Sequence, residues 1–428
     1  MLNRSIVVAA ILCAGLTACE SMPSDSMPDA VFSGNDENAG EIVQIEVVQI
    51  DVIPTEVAPT DITLAESDVS EVTGQVWPTA FAAPEGVAVA GDIVLVANTA
   101  FSFDGQAMAY GRGFVSVLDL ASMSVVNIIS TSAKNPQSII VADDRAYVVC
   151  SGETGYDMDS GLVRPVTNGA LDEIDLSTAR TAASMSRSLA IPLSEANPLV
   201  GIPKSMVLLS DGRAYLGSAT AAAVFVVDRL AMTLIRGPDN PIALGDLAIQ
   251  DGLTLALGPT DVVFAASFNR DLIMAIDPSH DALAGAPWAQ IEIGKASDMM
   301  EGICDLAVRT EPKPELFALL CVGNSVSRVA LGSGFGTVTN GCATTGVYPN
   351  RILLQDDTLL ILNSGDNNVI GVSLSNGKSL GQVVAFPVGS NPYDMALAPD
   401  GRTVYVSGLM SNSLFSADLK GGAVSEVK

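Results

Sequence analysis

From residue 84 onward the hydrophobic positions fall in short runs broken by turn residues, and no stretch of comparable length keeps a helical 3.6-residue period. The clearest unit occupies residues 391–406 and 413–418: an apolar run, the turn Pro399-Asp400-Gly401, a second run containing Tyr405, and a third run ending in Asp418. An Asp-Gly turn between two such runs is the grammar of a β-hairpin. The unit recurs around Asp211-Gly212, with a third run ending in Asp228, and around Asp143-Asp144, with a third run ending in Asp175. Weaker copies follow Glu85, Gly252, Glu301 and Asn350, so the pattern predicts seven units. The residues just before the first strand of each are Glu85, Gln137, Lys204, Asp251, Glu301, Asn350 and Tyr393, at intervals of 52, 67, 47, 50, 49 and 43. Short strands repeating at this period predict an all-β chain folded as a seven-bladed β-propeller. Residues 74–82 resemble residues 381–389, which predicts an N-terminal strand laid beside the C-terminal ones to cover an open edge.

Strand parity predicts where a site belongs. In a four-stranded antiparallel blade, the entry to the first strand and the connection between the second and third share one face. The first two units carry long second connections, residues 99–113 and 151–169. Both therefore overhang the face of the seven entry residues, as expected of binding loops on a rigid scaffold. They bring Asp104, Tyr110, Arg112, Glu153, Tyr156, Asp157, Asp159 and Arg164 to that face, a polar and aromatic mixture suited to recognition.

The pattern of the first 75 residues is different. Residues 1–18 pair Arg4 with an apolar run too short to span a bilayer, the form of a signal peptide. The run ends Leu16-Thr17-Ala18-Cys19, which resembles the bacterial lipobox. That resemblance implies cleavage before Cys19, a lipid-anchored protein, and outer-membrane sorting with Glu20 in the next position. Residues 20–75 carry 13 acidic and no basic residues among scattered Pro, Ser and Gly, which predicts a self-repelling tether over residues 19–73. The propeller then occupies residues 74–428.

Composition removes several function classes. The 428-residue chain has 48 acidic and 21 basic residues and a formal charge of -27, so nucleic acid is not an expected partner. A single histidine, His280, excludes multi-histidine metal sites and follows Asp277-Pro278-Ser279 on an expected exposed turn. Once Cys13 leaves with the signal and Cys19 is lipidated, four cysteines remain. Cys304 and Cys321 fall in the first two strands of one unit, placed to face each other across a hairpin and form a disulfide in an exported protein. Cys150 and Cys342 are expected to be buried free thiols.

Two resemblances add expectations. Residues 391–406, with an Asn-Pro entry, a Pro-Asp-Gly turn and the strand Tyr405-Val406, resemble the YVTN-type bacterial propeller repeat, supported by residues 205–216 and 135–149. That family implies a fold and hardly any chemistry. Pro84-Glu85-Gly86 and Pro349-Asn350 resemble the axial pieces of gluconolactonase and strictosidine-synthase-like propellers. The resemblance implies that Glu85, Asp251, Glu301 and Asn350 could hold Ca²⁺ or another divalent cation that polarises a lactone carbonyl. The reading favoured from the sequence is a membrane-anchored, extracytoplasmic scaffold that binds a protein or small ligand. Its binding face carries Glu85, Lys204, Asp251, Glu301, Asn350, Tyr393, Tyr110, Arg112, Tyr156, Asp157 and Arg164. The alternative is a metal-dependent, lactonase-like hydrolase.

Overall fold

The computed structural model describes residues 79–103, 108–157, 162–197, 199–245, 252–285, 289–293, 301–332 and 335–427. The expected signal peptide and tether, Cys19, Asp104, Asp159 and Asp251 lie outside the described residues. No helix among the described residues is long and apolar enough to cross a membrane.

Seven antiparallel sheets form, each built from four consecutive main strands, in the order the repeats predict. The innermost strands are Pro84–Ala90, Pro136–Ala142, Pro203–Leu208, Leu253–Leu257, Ile303–Arg309, Pro349–Gln355 and Pro392–Leu397, in blades one to seven. Second strands such as Ile93–Asn98 and Thr403–Gly408 are buried almost throughout, because neighbouring blades cover both faces. Outermost strands such as Ser124–Ser130 and Thr233–Arg236 are far less buried, with exposed and half-buried positions alternating over much of their length. The apolar side chains gather in seven clusters, and each straddles one junction between adjacent blades. The core is thus a ring of inter-blade seams. At about 25 cal/mol per Å² of apolar area buried, these seams are the main source of stability.

Most of the expected closing strand, residues 74–78, lies outside the described residues. All four strands of blade seven come from the C-terminal end of the chain, the outermost being Val424–Val427. The part of residues 74–82 that is described forms no strand beside them. Instead, Phe81, Val87 and Val96 of blade one pack on Ala398, Tyr405 and Leu414 of blade seven. Across the same seam, the Val87 amide donates to Asp394 Oδ2 (3.0 Å), the Ala83 amide to Asn412 Oδ1 (2.7 Å), and the Ser407 hydroxyl to the Glu85 carbonyl (2.6 Å).

The two long connections are not open loops. Phe101–Phe103 pairs with Met108–Tyr110, and Thr154–Asp157 with Leu162–Pro165, so each is a small β-hairpin rising from its blade. His280 sits on a turn, exposed, 2.7 Å from Asp277 Oδ2. Cys150 is a buried free thiol, and Cys342 a half-buried one.

Candidate functional site at the axial mouth

The way the chain enters each blade sets the site. The residue before the innermost strand takes a left-handed conformation in six blades: Ala83, Asn135, Gly252, Gly302, Tyr348 and Asn391. In five blades a proline follows, its fixed φ starting the strand, and in all but blade four a β-bulge comes next. The bulge frees the second strand residue from the ladder and lets its side chain meet the axis. Glu85, Gln137, Lys204, Asn350 and Tyr393 hold this position and line an axial cavity of about 1290 Å³.

The same cavity is walled on one side by Phe101 and Tyr110 of the first hairpin and by Thr154 and Val163 of the second. The hydroxyls of Tyr110 and Thr154 are 2.8 Å apart, which joins the hairpins, and the rings of Phe101 and Tyr110 meet at 5.3 Å. Parity therefore puts both insertions and the strand entries around one concavity. Glu153 instead pairs with Lys134 at 2.5 Å. Arg112, beyond the first hairpin, and Arg164, in the second, are not among the lining residues. Tyr156 and Asp157 lie in the first strand of the second hairpin.

Glu85 dominates the electrostatics. Burial raises its carboxyl from the ordinary 4.5 to about 8; nearby Lys204 opposes the rise and Asp394 adds to it. Its Oε2 is buried and finds no hydrogen-bond partner among the described residues, and the same holds for Oε1 of Gln137 in the next blade. The Gln137 amide nitrogen donates to Asn135 Oδ1 at 3.3 Å. Glu85 is in turn the leading influence raising the Tyr393 phenol, whereas burial leads for the Tyr110 phenol. Lys204 stretches across blade four: a Cβ on Gly252 would lie 2.5 Å from Lys204 Cδ, and Gly252 has φ +76°. A buried acceptor left unbonded costs roughly 1–3 kcal/mol, so these two, on neighbouring blades at one cavity, are the atoms there with capacity to accept from a further donor.

One residue further along the strands lies a second ring that the sequence reading missed. Arg351 of blade six sits between Asp305 of blade five (Nη1 to Oδ1, 3.3 Å) and Asp394 of blade seven (Nε to Oδ1, 2.8 Å). Asp305 Oδ2 also accepts the Ile352 amide at 2.9 Å, as Asp394 accepts that of Val87. Burial pushes the Asp305 carboxyl up against the pull of Arg351, while Asp305 first, and then Asp394, holds the Arg351 guanidinium firmly charged. These ties lock blade to blade beneath the mouth.

Blade five departs from the expected ring. Glu301 precedes its strand by two residues and is not among the cavity's lining residues. Its amide donates to Asp271 at 3.2 Å. The position equivalent to Glu85 belongs to Cys304, which is joined to Cys321 with a Cα separation of 6.0 Å; both line the cavity. Blade five enters through Gly302-Ile303, with no proline to mark where its strand begins. Of the four residues expected to ligate a metal, the structure brings Glu85 and Asn350 to the mouth. Among the described residues no cluster of three His, Cys, Asp or Glu side chains is arranged to hold a metal ion.

No family model matches the chain, and no curated protein matches it in sequence. Solved structures do. The chain is similar to a streptogramin B lyase (12% identity, TM-score 0.53, covering 78% of this chain and 93% of that one). It is also similar to a putative 6-phosphogluconolactonase from Bacteroides uniformis (14% identity, TM-score 0.55, 78% and 95%). A virginiamycin B lyase from Staphylococcus aureus aligns at 12% identity and TM-score 0.50 over 68% and 84%. At these identities the likeness is one of fold.

Proposed function

We propose that the protein is a lipid-anchored, extracytoplasmic binding propeller of the YVTN-repeat kind, carried on the bacterial outer membrane through Cys19, whose ligand enters the axial mouth between the two hairpins. The observation that carries the reading is the pair of buried, unbonded acceptors, Glu85 Oε2 and Gln137 Oε1, in a cavity of about 1290 Å³. A bound donor recovers the free energy that an unbonded buried acceptor costs. Thermal unfolding of the full-length protein with the low-molecular-weight fraction of a periplasmic extract tests it. The melting temperature should rise, because a ligand that binds only the folded state stabilises it by mass action. Gln137→Met should abolish the rise, and Arg402→Ala, on the opposite face, should keep it. Retention of the rise in Gln137→Met would place the ligand elsewhere.

A second reading has one observation in its favour. Glu85, held as the acid up to about pH 8, is suited to proton donation in a cavity that Asn350 also lines, as a lactonase-like hydrolase would require. Of the four residues expected to ligate Ca²⁺, the described residues bring Glu85 and Asn350 to the mouth, with the Lys204 cation nearby, a poor fit to an ion that takes six to eight oxygens. Calcium titration followed by melting temperature separates the readings: a metal-dependent site requires a stabilisation that chelator removes.

A further inference from the structure

The chemistry of the mouth is asymmetric. On blades one to three it offers two acceptors without donors, Glu85 Oε2 and Gln137 Oε1, and then the Lys204 ammonium as a donor. The Tyr110 and Tyr393 rings line the cavity beside Glu85, and aromatic faces favour a cation. Across the mouth, on blades five to seven, Val322, Val347, Tyr348 and Met410 line the same cavity and are exposed. Tyr348 is held at φ +49°, at the entry position where Asn135 and Asn391 serve two other blades. A bulky residue in the left-handed region is strained, by roughly 1–3 kcal/mol, and such strain gathers at ligand sites. The cavity is also larger than the roughly 300–1,000 Å³ usual for a small-molecule pocket.

We propose that the mouth binds a short peptide by its free amino end: the α-ammonium donates to Glu85 Oε2 and Gln137 Oε1, the first carbonyl oxygen accepts from Lys204, and the following apolar side chains lie on Val322, Val347, Tyr348 and Met410. The inference rests on the mouth being the binding site and names its ligand class. Several features converge on it. The two orphaned atoms call for donors, and an ammonium supplies three. Lys204 would repel a second positive charge but bonds to a neighbouring carbonyl, the arrangement at a chain's amino end. The formal charge of -27 steers cationic ends toward the protein. An amino terminus captured by polar groups is a recurring mode of peptide recognition.

The test is calorimetric titration of the full-length protein, in detergent, with the peptide Leu-Leu-Val-Tyr-amide and its N-acetylated twin at pH 7. The free peptide should bind, and acetylation should weaken it by at least roughly thirtyfold, a charge-assisted pair of hydrogen bonds being lost. Glu85→Gln should cost about tenfold and Tyr348→Ala a comparable factor, whereas Arg402→Ala should change nothing. Because Glu85 releases its proton on pairing with the ammonium, the heat of binding should vary with the buffer's ionisation heat, and in Glu85→Gln only the small opposite uptake by the peptide's partly neutral amino group should remain. Equal binding of the two peptides overturns the proposal, as does binding of a neutral sugar such as maltose in preference to either. If neither peptide binds while the extract still stabilises the protein in a Gln137-dependent way, the ligand class is wrong and the mouth stands. If the extract effect also ignores Gln137, both fall.

Discussion

Replacing Glu85 by Gln should make the protein more stable, and by an amount that grows with pH. Glu85 is 9% exposed, and its carboxyl is raised from 4.5 to about 8. In the unfolded chain the group ionises near 4.5, so above that pH folding must take up a proton. Stability is therefore full below about pH 4.5, declines as pH rises, and stops declining once the folded group ionises above about 8. Each pH unit in this window is worth about 1.4 kcal/mol. At pH 7 the deficit is about 3 kcal/mol and at pH 8.5 it approaches about 5 kcal/mol. An amide of nearly the same shape carries no such burden. The assay is urea unfolding of wild type and Glu85→Gln at pH 4.5, 7 and 8.5, read as the difference between the two proteins so that other titrating groups cancel. The difference should be near zero at pH 4.5 and favour Gln by about 2–3 kcal/mol at pH 7, allowing for an imperfectly bonded amide. A pH-independent difference, or a variant less stable than wild type at pH 8.5, would refute a buried neutral carboxyl.

Four further outcomes follow from other parts of the molecule. Cys19→Ser should move the protein from the membrane to the soluble fraction on cell fractionation; an unchanged membrane-bound amount would remove the lipobox reading. Asp305→Ala should destabilise by about 2–4 kcal/mol in denaturant unfolding, since it strips partners from both Arg351 and the Ile352 amide. The double change Cys304→Ser with Cys321→Ser opens a loop of separation 17 and should lower stability by about 3 kcal/mol. Replacing residues 151–169 by an Asn-Gly turn should leave the melting temperature within a few degrees, loop length being a weak determinant of stability, while abolishing ligand-induced stabilisation.

The blade count and the functional face were readable because two simple periodicities carry them: strand length with its Asp-Gly turns, and the parity of four strands. Phase was readable only where proline marks the entry. Gly252 and Gly302 make the same left-handed turn without a following proline, so Asp251 and Glu301 looked like ring residues although their blades' first strands begin at Leu253 and Ile303. The ties Asp305, Arg351 and Asp394 escaped notice because each lies inside an apolar run; aligned on the strand entries, three charges at one offset would have shown them. The hairpin in each insertion is only three or four residues a side, below the length at which alternation becomes a signal. The unbonded oxygens of Glu85 and Gln137 were beyond reach, since nothing in a sequence says which acceptor finds a donor.

The closure of the ring has a mechanical consequence. Every seam between blades lacks a backbone ladder among the described residues, but the other six are crossed by the chain itself, whereas the seam of last blade and first rests on side-chain packing and on the bonds to Asp394, Asn412 and Ser407. A pull applied at residues 79 and 427 therefore peels one interface open, like a split washer, before it shears any sheet. After that first yield the remaining blades stand in series, so a stretching experiment should record one early, weak event followed by repeated larger ones. Conversely, a short covalent link between those two ends would turn the weakest joint into a continuous one, and new ends could be cut at another blade boundary without altering the ring.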